Sequence, residues 1–384
     1  MDDLTAAAAL LRSTDAGGLL AAALTGGPEP AGFTAALTDW HYRPGAEVTA
    51  GYRVGYDTPG GHVVEHLFAT TSAVGAPAAV LARGASRFAV WRHPDDPRLP
   101  GLAPSCDPAT VMGWLGVRPE RFDLSLLGYR PLRRAVLRAT ADADVAYLKV
   151  LRPGRADALA ERQGLFAGAG LTPALLSRPA PGVLVTPAAG GRPLAAHLAD
   201  PGLGLPGAGD LLALLDRLPP GLVSLPRRAP WAERLDFHAA TAVDRLPDAA
   251  GRVGALRTRL ERVLATAPVG PTVPTHGDLH EANIMVEDGR LSLIDLDAAG
   301  PGHREDDLAC LLAHLAVLPS LSPGHYAAVP ALLEAWWEAF AAATPEPAAL
   351  AARVSAVLLS LVAGDAGQAA TRLASAEQWA GRAA

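Results

Sequence analysis

His276-Gly277-Asp278-Leu279-His280-Glu281-Ala282-Asn283-Ile284-Met285-Val286, with Leu293-Ile294-Asp295-Leu296-Asp297 shortly after it, is the stretch from which the rest of the chain can be read. Ile284 to Val286 and Leu291 to Ile294 are short apolar runs around Asp288-Gly289, a strong signal for a two-residue hairpin. Pairing about that turn sets Ile284 against Leu293 and Asn283 against Ile294, one step from Asp295. Strict alternation would put Asn283 and Asp295 on opposite faces, so a bulge or the strand end must turn one of them inward.

An amide and a carboxylate at the open end of such a hairpin suit Mg²⁺, which takes one or two protein oxygens and completes its octahedron with water and phosphate oxygens. Asp278, on the preceding loop, is placed to accept a proton from, or to orient, an attacking hydroxyl. Phosphoryl transfer uses this division of labour, because its loose transition state calls for charge neutralisation and in-line positioning. His276, His280 and Asp278 also allow a metal-dependent phosphoesterase reading. That reading needs further His/Asp clusters, and the sequence offers none at ligand spacing.

The chain has 384 residues and 39.5 kDa, which implies two domains or three. Half of the residues are hydrophobic and 19% are charged, which excludes a largely disordered chain. With 33 basic against 39 acidic residues the net charge is −6, and there is no basic field for nucleic acid or a membrane surface. Cys106 and Cys310 are too few for a disulfide framework. No apolar run approaches the ~20 residues of a membrane span, and Asp2 and Asp3 do not read as a secretory signal. The expectation is a soluble cytoplasmic protein.

The first 30 residues read as helix, and the texture from Trp40 to Trp91 is β-like. Val48 to Tyr56 and His62 to Thr70 flank a turn at Asp57 to Gly61, and Phe88 to Trp91 is a further short strand. Arg92 to Pro104 is too rich in proline for regular structure, and a short helix follows over Pro108 to Leu115. Leu124 to Leu151 is again β-like, with Ala135 to Ala139 and Val145 to Val150 around Asp142-Ala143-Asp144. Tyr42-Arg43-Pro44 and Tyr129-Arg130-Pro131 precede the two hairpins, a faint sign of duplication. A helix over about 156–166 and a strand at Val183 to Val185 lead to Gly190-Gly191. Beyond Leu194 helices are expected at about 208–217, 230–246, 251–266, 305–318, 325–343 and 348–363. A β-rich first half and a helical second half imply an α+β protein of two lobes.

The pattern His276-Gly277-Asp278-x-His280-x-x-Asn283, then Ile294-Asp295, then Asp307-Leu308-Ala309, resembles the aminoglycoside phosphotransferase and choline kinase-like superfamily, whose fold is protein-kinase-like. The resemblance covers roughly residues 120–384. It implies that Asp278 is the catalytic base, that Asn283 and Asp295 are magnesium ligands, and that Asp307 braces the catalytic loop. His276 is then a structural histidine packing that loop, and His280 a substrate contact or a loop cap.

A kinase-like fold also needs a strand lysine on the nucleotide phosphates and a helix glutamate to hold it. The only lysine of the chain, Lys149, lies in such a strand, and Glu161 lies on the following helix. The chain departs from protein kinases in having no Gly-x-Gly-x-x-Gly loop. The corresponding turn, Gly128 to Arg134, offers Arg133 and Arg134 as phosphate contacts. The expected organisation is an N-terminal cap subdomain over 1–118, a kinase-like N-lobe over 119–190 and a helical C-lobe over 191–384. The cap loosely resembles that of actinobacterial maltokinases and glucosamine kinases, although Asn283 stands where a maltokinase has glutamine. The resemblance implies an ATP- and Mg²⁺-dependent phosphotransferase acting on a hydroxyl of a small molecule, first a sugar or aminosugar. An aminoglycoside or other antibiotic as acceptor, or a nucleotide-binding pseudokinase, is the alternative.

Overall fold

The computed structural model describes residues 3–43, 45–84, 86–268, 270–322 and 324–383. The chain forms two compact units, Met1–Ala160 with Leu175–Ala188 and Glu161–Ala174 with Ala189–Ala384. A β-rich N-terminal region and a helical C-terminal region give the α+β class that the sequence implies.

The first unit contains two antiparallel sheets. In the first sheet, β1 (Thr34–Arg43), β2 (Glu47–Thr58), β3 (Gly61–Thr70), β4 (Ala79–Arg83) and β5 (Ser86–Arg92) lie in the order β1-β2-β3-β5-β4. Helices α1 (Asp3–Arg12) and α2 (Ala16–Thr25) contribute Leu11, Leu19 and Leu20 to a core shared with Val48, Val54, Leu67 and Phe88. The second sheet is β6 (Phe122–Arg130), β7 (Arg134–Ala141), β8 (Asp144–Leu151) and β9 (Val183–Pro187), in sequence order. Ala135, Leu137 and Ala139 of β7 and Leu148 and Val150 of β8 bury one face of it. Val111 of α4 (Pro108–Leu115) and Leu102 of α3 (Leu102–Ser105) join them. Strand alternation puts Lys149, between Leu148 and Val150, on the opposite face.

A buried carboxylate holds the turn between β6 and β7. Asp96, 3% exposed, accepts hydrogen bonds from the Tyr129 hydroxyl and the Leu132 N–H, both at 2.7 Å. Leu132 adopts φ +62°, a left-handed conformation that costs a branched residue about 1 kcal/mol or more. Its side chain is buried against Phe68 and Trp91, which offsets that cost.

In the second unit, α7 (Ala208–Asp216), α8 (Leu235–Arg245), α9 (Ala250–Thr266), α10 (Arg304–Leu321), α11 (Val329–Ala342), α12 (Pro347–Leu361) and α13 (Ala369–Arg382) form the helical body. Helix α12 is buried on nearly every side, and Ser355 at its centre donates to the Ala376 carbonyl at 2.7 Å. The unit boundary falls within α5 (Pro153–Gly168). Short α6 (Leu194–Ala199) follows β10 (Arg192–Pro193), which pairs with the edge of the hairpin β12 (Ile284–Glu287) and β13 (Arg290–Leu293). A two-stranded pair, β11 (Val273–Thr275) and β14 (Gly300–Gly302), completes the unit.

Most expected elements are present, and several further ones were not expected. β1 begins at Thr34, ahead of the expected β region, and β4 was not expected; both are mostly exposed and lack an apolar alternation. Leu102–Ser105 is a regular helical turn inside the proline-rich stretch. Helix α6 is too short to carry a periodic signal, whereas α13, whose buried residues Ala369, Leu373, Ala376 and Ala380 recur at helical spacing, was not read from the sequence.

Asp96→Ala should lower stability by about 2–4 kcal/mol, because two hydrogen bonds to a charged acceptor are lost; a urea midpoint shift worth under 0.5 kcal/mol would show that the turn holds itself. Burial lowers the pKa of His238 to about 4, with Arg234 adding to the effect. The folded protein therefore binds fewer protons there than the unfolded chain, and stability should fall as pH drops from 6.5 towards 4. His238→Leu should flatten that limb of a thermal stability–pH profile.

Candidate active site

The loop from His276 to Asn283 starts directly after β11 and is shaped by α10. Asp307, in the first turn of α10, is 1% exposed and accepts from two backbone N–H groups, His276 to Oδ2 and Gly277 to Oδ1, each at 2.7 Å. Burial pushes its pKa up to about 7, and the two N–H donors oppose that shift. Gly277 has φ +77°, and a Cβ there would lie 2.5 Å from the Ala298 carbonyl oxygen, so only glycine fits.

His276 is fully buried, with Nε2 at 3.0 Å from the Ile294 carbonyl. That contact makes Nε2 the protonated nitrogen. Burial lowers the pKa of the ring, so the histidine is a neutral structural strut between the loop and the end of β13.

Further along α10, Cys310 and His314 continue the face that begins at Asp307. The Cys310 thiol lies 4.0 Å from Asp278 Oδ1. The His314 ring stacks on His280 with centroids 4.6 Å apart, and its Nδ1 is 4.0 Å from Glu281 Oε2. One helix face thus meets the loop at its start, at Asp278 and at its end. Burial, then His280 and Arg372, lowers His314 to about 3, so it is neutral. Glu281 is buried, its Oε2 has no hydrogen-bond partner among the described residues, and burial raises its pKa. His280, Glu281 and His314 offer ligand atoms within 4.8 Å of one another. This cluster was not legible in the sequence, because His314 lies a helix away.

The hairpin register is the expected one, with Ile284 opposite Leu293 and the Ile294 N–H donating to the Asn283 carbonyl at 3.0 Å. Asp288 and Gly289 both have positive φ, as the tight turn requires. The strand end, rather than a bulge, breaks the alternation: Asp295 follows β13 in a left-handed conformation, φ +60° and ψ +58°. The Asn283 side chain is 6% exposed, and its Nδ2 donates to the Asp278 carbonyl at 2.9 Å and faces His280 Nε2 at 3.0 Å. With Nδ2 so engaged, Oδ1 is the end left for a cation. An amide oxygen and a carboxylate are hard donors, which fits magnesium.

Lys149 is half-buried on β8 in the first unit. Glu161 is exposed on α5 in the second, so the burial that would make an ion pair through it strongly stabilising is not met. Arg133 donates to Glu47 Oε1 at 3.0 Å, and Arg134 is exposed at the start of β7.

Residues 130–353 match the family model described as phosphotransferase enzyme family. The chain belongs to the phosphotransferase enzyme family. Among curated proteins, no sequence matches it significantly. Solved structures similar to this phosphotransferase include a choline/ethanolamine kinase family protein from Mesorhizobium loti, 20% identical, covering 72% of this chain and 92% of that one with a TM-score of 0.48. A thermostable mutant of aminoglycoside phosphotransferase APH(4)-Ia, in a ternary complex with ADP and hygromycin B, is 16% identical, covering 72% and 98% with a TM-score of 0.48. A glucosamine kinase in complex with glucosamine, ADP and inorganic phosphate is 16% identical, covering 93% and 95% with a TM-score of 0.45. Likeness at this level does not extend to an acceptor.

Asp307→Asn leaves one of the two backbone donors facing an amide NH₂ group. It should cost about 2–4 kcal/mol and speed hydrogen exchange at His276 and Gly277; unchanged exchange across residues 273–283 would show that the loop does not need this carboxylate.

Proposed function

We propose that the protein transfers the γ-phosphoryl group of ATP to a hydroxyl of a small molecule, most readily a sugar or aminosugar, in a magnesium-dependent reaction in the cytoplasm. The observation that carries this reading is the single scaffold formed by Asp307, the His276–Asn283 loop and the hairpin. It holds one carboxylate on the loop, Asp278, and two oxygen donors at the hairpin end, Asn283 and Asp295. Asn283 and Asp295 would hold magnesium, which when bound neutralises charge on the nucleotide phosphates. Lys149 adds a fixed positive charge for those phosphates, with Glu161 and the arginines Arg133 and Arg134 as further candidates.

Asp278 would orient the acceptor hydroxyl and take its proton as the new oxygen–phosphorus bond forms, an effect worth about 10²–10⁴ in rate. His280, Glu281 and His314 line up polar groups beside it. Residues 1–118 would serve as a cap, 119–190 as the N-lobe and 191–384 as the C-lobe. Neither nucleic acid nor membrane is required.

Acceptor-dependent ADP release with Mg-ATP, across glucose, glucosamine, maltose, choline and several aminoglycosides, tests the reading. One acceptor should turn over, and Asp278→Asn should reduce that turnover by at least 10² while leaving Mg-ATP binding nearly intact. Equal loss of both would make Asp278 structural. Nucleotide binding without turnover on any acceptor would favour a pseudokinase. Lys149→Ala should lower kcat/KM for ATP; an unchanged value would remove the lysine from the site.

A further inference from the structure

A second concentration of charge lies in the first unit, where a cavity of about 190 Å³ opens between the end of β1, the start of β2 and the β6–β7 turn. Its walls carry three guanidiniums, Arg43, Arg130 and Arg133, against a single carboxylate, Glu47.

Glu47 is fully committed. Its Oε1 accepts from Arg43 at 3.3 Å and from Arg133 at 3.0 Å, and Ser72 donates to its other oxygen. Burial pushes the pKa of Glu47 up, but these three donors outweigh it and bring the pKa down to about 2. One anion is thus shared by two cations. Arg130 has no carboxylate within ion-pair distance among the described residues; burial and the charges of Arg133, Arg134 and Arg43 weaken its hold on its proton, and the charge of Glu47 only partly opposes them. On the same wall His41 has a buried Nε2 without a partner.

The turn that presents Arg130 and Arg133 is held in place before any ligand arrives. Asp96 accepts from the Leu132 N–H, and Arg152 Nε donates to the Leu132 carbonyl at 2.7 Å. Tyr42 and Arg43, at the end of β1, and Arg130 and Pro131, at the end of β6 and just after it, are among the walls of this cavity. Guanidinium forks on a fixed frame match the oxygens of a phosphate group. We propose that this cavity binds a small phosphate-bearing anion, with Arg130 and Arg43 as its principal contacts.

Calorimetric titration of the full chain with inorganic pyrophosphate, at low ionic strength with EDTA present, tests the proposal. The wild type should show one binding event, which Lys149→Ala leaves unchanged and Arg130→Gln weakens at least tenfold. Arg43→Gln, on the facing wall, should weaken it as well, with circular dichroism confirming that both variants fold. Three results would overturn the proposal: no binding by the wild type, equal affinity in Arg130→Gln, or loss of binding in Lys149→Ala, which would move the anion to the nucleotide site.

Discussion

The two hydrogen bonds from the His276 and Gly277 amides to Asp307 are the constraint on which the site depends. A carboxylate that is 1% exposed costs several kcal/mol to bury as an anion, and that cost is offset only if both oxygens are well bonded. Its place in the first turn of α10 adds the favourable end of the helix dipole. The backbone donors must come to it in one geometry, and that geometry places Gly277 against Ala298, where no side chain fits. The bend at Gly277 in turn directs Asp278 towards Cys310 and carries the chain on to Asn283. The loop's conformation is therefore a consequence of one buried carboxyl group and the helix that bears it.

The hairpin, its register and the identity of the polar residues around it were legible because each follows from local rules. Asp288-Gly289 dictates the turn, and the apolar runs dictate which residues pair. How the chain resolves the conflict between Asn283 and Asp295 was not legible. A left-handed aspartate past the strand end is one of two devices that satisfy the same pattern, and nothing local distinguishes it from a bulge. Cys310 and His314 were missed for a different reason. They meet the loop only because α10 packs along it, although their spacing from Asp307 on one helix face was available as a signal. The exposed strands β1 and β4 show the limit of reading by periodicity, which reports burial rather than hydrogen bonding.

Glu161 shows what sequence order leaves undetermined. Its position on the helix after the lysine strand agrees with the motif, yet the side chain is exposed. An exposed carboxylate gains about 1 kcal/mol or less from an ion pair. Spacing along a helix sets which face a residue occupies, but not whether that face is covered.

Asp96 and Asp307 solve the same physical problem in the two units. Each is almost fully buried, each takes a backbone N–H from a turn in which one residue has positive φ, and each is bonded at 2.7 Å. Half of this chain is hydrophobic, and much of that is alanine, a side chain with little shape to specify a loop. Apolar packing can collapse such a chain without choosing one conformation for its turns. A buried carboxylate does choose, because any other arrangement leaves a desolvated charge without donors. At the β6–β7 turn it overrides the steric preference of Leu132; at the loop it selects a path that only Gly277 can follow. In both places the path of a turn follows from a buried carboxylate that reaches it from another element, Asp96 at one and Asp307 at the other.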